Sequence, residues 1–229
     1  MREIILDTET TGLDPATGHR IVEIGALELL NHVPTGSTFH VYLNPERDMP
    51  PEAQAVHGLS AEFLRDKPLF KDVVEDFLTF VLDSPLIIHN ASFDMAFINA
   101  ELSYLGRPAI PSTRVVDSLQ LARQRHPMGP NSLDALCKRY GVDLSRRTKH
   151  GALLDSELLA EVYIELIGGR QTAMLLAAEK PKTSKTANIE YRSLSRPRKL
   201  TSRLSAEDRQ RHAEFVLSLG AHAIWHSRS

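Results

Sequence analysis

Two acidic side chains, Asp7 and Glu9, directly follow a short apolar run, Arg2–Leu6, that predicts a β-strand. On an extended backbone, residues two apart point to the same side, so the two carboxylates share one face. Like charges this close are unfavourable unless a cation lies between them, and Mg²⁺ and Mn²⁺ prefer carboxylate oxygens. An isolated pair of acids is more often simply solvated. The prediction of a metal site therefore depends on further acids that the fold brings to the same place.

The pattern of strands predicts a mixed α/β sheet flanked by helices. Three apolar, β-rich segments follow one another with short links, which favours an antiparallel meander, and a turn is expected at Pro34–Gly36. Two shorter runs then alternate with helices, which is typical of parallel strands. Ligands in such sheets bind at the carboxyl ends of the strands. The predicted strands are Arg2–Leu6, Ile21–Leu29, Thr38–Leu43, Leu86–Ile88 and Arg114–Asp117.

Apolar residues recurring at three and four positions predict an amphipathic helix from Phe70 to Val81. Further helices are expected after Asp94 and at Ser118–Arg125, Ser132–Tyr140 and Gly151–Ile167, with serines at positions 60, 118 and 132 as N-caps.

Length and composition limit the classes of protein to consider. A chain of 229 residues suits one full-sized domain plus an appendage, and its net charge of −2 argues against bulk electrostatic binding of nucleic acid. The single cysteine, Cys137, excludes an internal disulfide and lies in an apolar helical pattern, so it is expected in the core. With no apolar run of membrane-spanning length and no signal-peptide pattern, we expect a cytoplasmic protein with no membrane partner.

Three later residues can join the opening pair. Asp94 is expected in a short loop after the strand Leu86–Ile88, near its carboxyl end, and Asp155 lies one turn into the last long helix. His150 precedes that helix and can swing over the site. Two divalent cations about 3.5–4 Å apart would balance four carboxylates and support in-line phosphoryl chemistry. His150 is the candidate general base, because its unperturbed pKa lies nearest neutrality.

This set of residues resembles the three sequence motifs of the DEDDh 3′→5′ exonucleases. The matching segments are Asp7-x-Glu9, Asn90-Ala91-Ser92-Phe93-Asp94 and His150-x-x-x-x-Asp155, within residues 1 to about 170. The resemblance implies a ribonuclease-H-like fold and two bound Mg²⁺ or Mn²⁺ ions. It also implies that Asp7, Glu9, Asp94 and Asp155 bind metal while His150 is catalytic.

Further segments are similar to the proofreading subunits of bacterial replicative polymerases of the DNA polymerase III type. They are Val56–Leu59, Asn131–Cys137 and Arg147–Asp155. This resemblance implies hydrolysis of the 3′-terminal phosphodiesters of single-stranded or frayed DNA. It implies contacts to the terminal nucleotide from Glu9, Thr11, Gly12, Leu13, Glu52, His57 and Asp155. His57 could equally be a helix stop together with Gly58.

The C-terminal part predicts attachment to partners. Gln171, Met174, Leu175 and Leu176 resemble the short peptides that bind a sliding clamp. Residues 179–204 carry eight Lys or Arg against two Glu, which predicts a flexible basic linker after an exonuclease domain at residues 1–178. Residues 205–229 are expected to dock on the polymerase alpha subunit through Phe215, Leu219 and Trp225. A small third core subunit is a further possible partner.

Three other functions remain open on the sequence alone. The chain could be a DEDDh exonuclease that acts on tRNA ends or short oligoribonucleotides, although the tail argues against this. It could be a non-catalytic assembly subunit, which the complete acidic set argues against. It could also be a hydrolase of free nucleotides, which the clamp-like motif disfavours.

Overall fold

The computed structural model describes residues 1–145, 147, 149–168 and 205–219. The chain divides into two units, Met1–Glu179 and Lys180–Ser229. The clamp-like motif at Gln171, Met174, Leu175 and Leu176, the linker 179–204 and Trp225 fall outside the described residues. Those predictions, with the predicted domain boundaries, therefore stay predictions.

The first unit is built on a mixed five-stranded sheet. Strand β1 is its centre: it pairs antiparallel with β2, which pairs antiparallel with β3, and on its other side it pairs parallel with β4, which pairs parallel with β5. The order is therefore β3-β2-β1-β4-β5, and the mixed sheet of three antiparallel strands followed by parallel strands is as predicted. The strands are β1 Arg2–Thr10, β2 Ile21–Leu30, β3 Val33–Tyr42, β4 Leu86–Ile88 and β5 Val115–Asp117.

Seven helices of the first unit are described. They are α1 Pro51–His57, α2 Ala61–Leu64, α3 Phe70–Val81, α4 Ala91–Tyr104, α5 Ser118–Arg125, α6 Leu133–Tyr140 and α7 Ala152–Leu166. In the second unit, α8 spans Ala206–Ser218, and its N-cap is Ser205, whose hydroxyl accepts a hydrogen bond from the Asp208 N–H. Phe215 and Leu219 are exposed there. Across the described ranges, no helix has both the length and the apolar character needed to cross a membrane.

The two faces of the sheet are covered by different helices. Ile4 and Leu6 of β1 pack with Phe77 of α3 and Phe97 of α4, and all four side chains are buried. Ile5, between them, points to the opposite face and packs with Leu159 and Tyr163 of α7. This alternation is the period of two that a strand imposes. A third cluster joins α5, α6 and α7 and includes the buried Cys137, as predicted.

Three local predictions are wrong. The turn between β2 and β3 lies at Asn31 and His32, both with positive φ, rather than at Pro34–Gly36, which belongs to β3. In a type I′ hairpin both turn residues have positive φ, and Asn tolerates this conformation well. The N-cap of α5 is Asp117, whose carboxylate accepts from the Leu119 N–H, because Ser118 is already the first helical residue. Asp94 lies in the first turn of α4 rather than in a loop.

Helix α7 begins directly against the sheet at Gly25, a residue of β2 that pairs with Asp7 of β1. A Cβ atom at Gly25 would lie 2.1 Å from the Leu153 nitrogen and 2.2 Å from the Ala152 carbonyl carbon, so only glycine fits. The Ser156 hydroxyl donates to the Gly25 carbonyl at 2.9 Å. These contacts fix the first turn of α7, which carries Asp155, relative to the strand that carries Asp7.

We expect Gly25→Ala to lower the free energy of unfolding by roughly 1–3 kcal/mol, because a backbone clash cannot relax as a side chain does. It should also weaken binding of divalent cations, because Asp155 moves with α7. Thermal unfolding and calorimetric titration with Mn²⁺ measure both effects. Gly151→Ala is the matched control: its Cβ meets open space at φ −156, and the N-cap change costs about 1 kcal/mol at most. Equal stability of both variants would contradict the close packing at Gly25.

Candidate active site

The carboxyl end of β1 carries the first two acids. Asp7 and Glu9 alternate with the buried Thr8 and Thr10, so they lie on the same side of the strand as Ile5, which faces α7. Asp155 lies in the first turn of that helix and is 4 % exposed. The structure therefore brings Asp7, Glu9 and Asp155 to one place, although the first two are separated from the third by about 150 residues of sequence.

Asp94 reaches the same strand from the first turn of α4. Its Oδ1 accepts hydrogen bonds from the Thr8 backbone N–H at 3.0 Å and from the Thr8 hydroxyl at 2.7 Å. The side chain is 2 % exposed. Asp94 thus lies beside β1, as a metal site requires.

The acids raise one another's pKa values. Burial raises the pKa of Asp7 well above its usual range, and the charges of Asp94, Glu9, Asp155 and Glu23 raise it further. Burial and the charge of Asp155 raise the pKa of Glu9 to about 8. Burial raises the pKa of Asp94 to about 7. Carboxylates that hold their protons near neutral pH lack a compensating cation, so their arrangement favours binding of one.

Among the described residues, the tightest group of possible metal ligands is Glu9, His150 and Asp155, which offer ligand atoms within 4.8 Å of one another. With the nearby Asp7 and Asp94, the donors are carboxylate oxygens and one imidazole nitrogen. Carboxylate oxygens are hard donors and the imidazole nitrogen is a borderline one, so this set can hold a divalent cation. His150, predicted as a base, also lies within reach of a shared ion.

His150 is half exposed and precedes α7, as predicted. Its Nδ1 lies 3.1 Å from Asp155 Oδ2 and 2.8 Å from Nη2 of Arg147. When Nδ1 accepts from Arg147, the neutral ring carries its proton on Nε2 and that atom cannot act as a base. When Nδ1 donates to Asp155, Nε2 is free to accept a proton. The partner of Nδ1 therefore decides whether His150 can act as a base.

A cavity of about 500 Å³ adjoins Glu9. Its wall includes every predicted substrate residue except Asp155, namely Glu9, Thr11, Gly12, Leu13, Glu52 and His57. His57 is 5 % exposed, its Nδ1 accepts from the Leu59 N–H at 3.0 Å, and burial lowers its pKa. The ring is therefore neutral at physiological pH and carries its proton on Nε2.

The segment from Thr11 to Leu13 is held in place by residues that the sequence analysis missed. Thr11 exchanges hydrogen bonds with the backbone of Arg20, and its hydroxyl lies 3.1 Å from His19 Nδ1. The His19 ring packs so closely on Gly12 that a Cβ there would lie 2.3 Å from it. No sequence signal links positions 12 and 19, because the chain returns through a short 3₁₀ turn, Pro15–Thr17.

A second cavity, of about 840 Å³, lies on the other side of the acids. Its wall includes Asp7, His150 and Asp155 together with Arg123 and Asn131. Two apolar side chains, Leu13 and Phe93, belong to the walls of both cavities, and Leu13 is 84 % exposed. These two side chains form a ridge between the cavities. The sequence analysis quoted Phe93 only as part of the motif that contains Asp94.

Glu23 is buried rather than solvent-facing. It pairs directly across the sheet with Glu9, and its Oε1 lies 2.7 Å from Nε2 of His40 on β3. Like charges opposite each other on neighbouring strands are unfavourable, so the contact with His40 compensates Glu23 beside the site.

The sequence is similar to known proteins over most of its length. A family model described as an exonuclease, RNase_T, matches residues 4–163. DNA polymerase III subunit epsilon of Rickettsia felis is 51 % identical over 222 residues, which is 96 % of this chain and 97 % of that protein. DNA polymerase III subunit epsilon of Escherichia coli strain K12 is 51 % identical over 186 residues, 78 % of this chain and 76 % of that protein.

Solved structures share the fold. Exonuclease X, in complex with 5′ overhanging duplex DNA, superposes with a TM-score of 0.59 at 26 % identity, covering 72 % of this chain and 91 % of that one. The nuclease domain of 3′hExo, a DEDDh family member bound to rAMP, superposes with a TM-score of 0.64 at 17 % identity. It covers 73 % of this chain and 92 % of that one.

The raised pKa values predict a pH dependence for the protein without divalent cations. Above about pH 4.5 the unfolded chain has released the protons of Glu9 and Asp94, whereas the folded protein holds that of Asp94 up to about pH 7 and that of Glu9 up to about pH 8. The free energy of unfolding should therefore be highest below this window and fall as pH rises through it. Thermal unfolding in a chelator across this range measures the slope.

Excess Mn²⁺ should flatten or reverse that slope, because a cation stabilises the charged carboxylates. Glu9→Gln should reduce the slope, whereas Glu62→Gln, on an exposed position of α2, should leave it unchanged. A melting temperature that stays constant or rises with pH in the chelator would contradict the raised pKa values.

Proposed function

We propose how the residues of this chain act, given that it belongs to the RNase_T exonuclease family and, within it, to the DNA polymerase III epsilon subunits, and is therefore a 3′→5′ proofreading exonuclease. The observation that carries the proposal is the meeting of Asp7, Glu9, Asp94 and Asp155 beside a cavity of nucleotide size. Burial and mutual repulsion raise the pKa values of Asp7, Glu9 and Asp94. The site is therefore incomplete without divalent cations.

The family is metal-dependent, and we assign two ions, Mg²⁺ or Mn²⁺, to this site. Asp7, Glu9, Asp94 and Asp155 would hold them, because four carboxylates carry enough negative charge for two divalent cations. When bound, such ions acidify water and stabilise the charge that develops on a leaving oxygen. The remaining steps depend on the chain's own residues.

His150 is the proposed general base. With Nδ1–H donating to Asp155, its Nε2 is free to accept a proton from the attacking water. Its half-exposed position in the segment before α7 lets it approach water at the scissile phosphodiester. The product would be a nucleoside monophosphate and a DNA strand shortened by one nucleotide.

The cavity of about 500 Å³ is the proposed site of the 3′-terminal nucleotide. Its apolar wall, with Leu13, Ala53 and Val56, suits a base, while Glu52 and the Nε2–H of His57 suit sugar hydroxyls. The segment Thr11–Leu13 would lie against the base and the sugar. Only an unpaired end can enter this cavity, so mismatched termini, which fray at lower cost, are removed preferentially.

The C-terminal part would connect this activity to a replication complex. We assign clamp binding to Gln171, Met174, Leu175 and Leu176, and polymerase alpha-subunit binding to residues 205–229 with Phe215, Leu219 and Trp225. Exposed Phe215 and Leu219 on α8 support the second assignment. The basic linker 179–204 would separate the two contacts. A small third core subunit is a further candidate partner. A protein that acts at a replication fork would be located in the bacterial cytosol.

The chemistry is tested by digestion of a 3′-mismatched DNA primer with Mg²⁺. Asp7→Asn should lower the rate by roughly 10³-fold or more, because metal stabilisation of the transition state amounts to several kcal/mol. His150→Gln should lower it roughly 10²–10⁴-fold while Mn²⁺ binding persists, as expected for loss of a base. Asp83→Asn, on an exposed position, is the control.

Near-normal turnover by Asp7→Asn would refute the metal site. Loss of Mn²⁺ binding in His150→Gln would make this residue a ligand instead of a base. Matched DNA and RNA primers run in parallel: faster digestion of RNA than of mismatched DNA would favour an RNA exonuclease.

The two partner assignments are tested with two variants, each the control of the other. Deletion of residues 205–229 should abolish capture of the polymerase alpha subunit while clamp affinity and nuclease activity persist. The pair Gln171→Ala and Met174→Ala should weaken clamp binding, measured by titration, and leave alpha-subunit capture intact. Retained capture by the truncated chain, or unchanged clamp affinity of the double variant, would refute the corresponding assignment.

A further inference from the structure

Arg147 has the most contacts to the acidic site of any basic side chain described. Its Nε and Nη2 each donate to one oxygen of Asp155 at 2.6 Å, which is a bidentate fork. Nη2 also lies 2.8 Å from Nδ1 of His150, and Nη1 donates to Asp134. The Arg147 side chain is only 8 % exposed. It therefore touches a proposed metal ligand, the proposed base and an acid outside the cluster.

These contacts conflict with metal binding. Both oxygens of Asp155 are engaged by the guanidinium, yet Asp155 belongs to the group whose ligand atoms lie within 4.8 Å of one another. A divalent cation on Asp155 would face a positive charge at contact distance. Each oxygen keeps a second lone pair, but a cation bound there would be repelled by the guanidinium, so Arg147 and a cation compete for Asp155.

Asp134 offers an alternative place for the guanidinium. It lies in the first turn of α6, its side chain is half exposed, and Nη1 already contacts it. The two carboxylates flank the same guanidinium, so Asp134 lies within reach of Arg147 when a cation takes Asp155. Asp134 remains available to a cation-displaced arginine because it takes no part in the acidic cluster.

We propose that Arg147 is an internal counter-charge that holds Asp155 until a divalent cation binds, and then transfers to Asp134. This inference rests on the metal site of the proposed function. Without the arginine, Asp155 would be a buried charge with no counter-charge in the cation-free site, which is strongly unfavourable.

The transfer also releases the proposed base. While Arg147 donates to Nδ1 of His150, the ring proton is on Nε2 and His150 cannot accept one there. Once the guanidinium has moved, Nδ1–H can donate to Asp155 and Nε2 becomes an acceptor. Metal binding and readiness of the base would thus depend on the same movement.

The alternative is that Arg147 is a fixed brace between the segment before α7 and Asp155. A brace keeps its fork in the presence of metal, so weakening it should loosen the site and lower metal affinity. A competitor should do the opposite. Lysine distinguishes the two cases because it keeps the charge but cannot form the fork.

The test is calorimetric titration of the full chain with Mn²⁺ alone, at ionic strength high enough to screen distant charges. Arg147→Lys should bind Mn²⁺ more tightly than wild type. Arg147→Met should bind Mn²⁺ roughly tenfold more tightly than wild type or better, which corresponds to about 1.4 kcal/mol of binding free energy. Arg139→Lys, which alters an arginine whose hydrogen bonds among the described residues go to Asn131 and the Pro130 carbonyl, should bind as wild type does.

A double-mutant cycle separates transfer from a simple field effect. Asp134→Asn should weaken Mn²⁺ binding in the wild-type background, because the arginine loses its alternative partner. In the Arg147→Met background it should have little effect. Equal effects in both backgrounds, or weaker binding by Arg147→Lys, would overturn the proposal. Failure of wild type to bind Mn²⁺ would overturn the metal site itself, and the inference with it.

Discussion

Repulsion among carboxylates at one end of β1 is the constraint on which the rest of the structure depends. Asp7, Glu9, Asp94 and Asp155 come from β1, α4 and α7, and each is held by neighbours that have little freedom. Thr8 holds Asp94 through two hydrogen bonds, and the packing of α7 on Gly25 fixes Asp155. Holding these like charges together therefore lowers the stability of the fold. That arrangement is favourable only when cations, or an arginine in their place, complete it.

The parts of the fold that the sequence predicted are those governed by local periodicity. The alternation at Asp7 and Glu9, the apolar spacing of α3 and the short buried run of β4 each depend on a few neighbouring residues, and each prediction is confirmed. Errors occurred where tertiary context decides. Asn31 and His32 form the hairpin turn because β3 extends back to Val33, while the Pro34–Gly36 signal was misleading. Asp94 was expected in a loop because the strand ends so close to it.

The acids of the candidate site could be found from the sequence, but their supporting residues could not. A motif identifies side chains that perform chemistry, since residue type and spacing are both restricted. His19 supports Gly12 through a ring contact, and Glu23 is compensated by His40 from another strand. Arg147 was named only as the first residue of the segment Arg147–Asp155. Such contacts depend on three-dimensional distances that no spacing along the chain encodes.

The ridge of Leu13 and Phe93 has a consequence for what a proofreading site can sense. If the terminal nucleotide occupies the first cavity and the preceding nucleotide the second, the two lie on opposite sides of these apolar side chains and their bases no longer stack. The first cavity meets the terminal base with Leu13, Ala53 and Val56, none of which can distinguish one base edge from another. The enzyme would be blind to the identity of the error. It would respond instead to the free energy needed to unpair the primer end, so replication errors that leave a stably paired terminus would escape it.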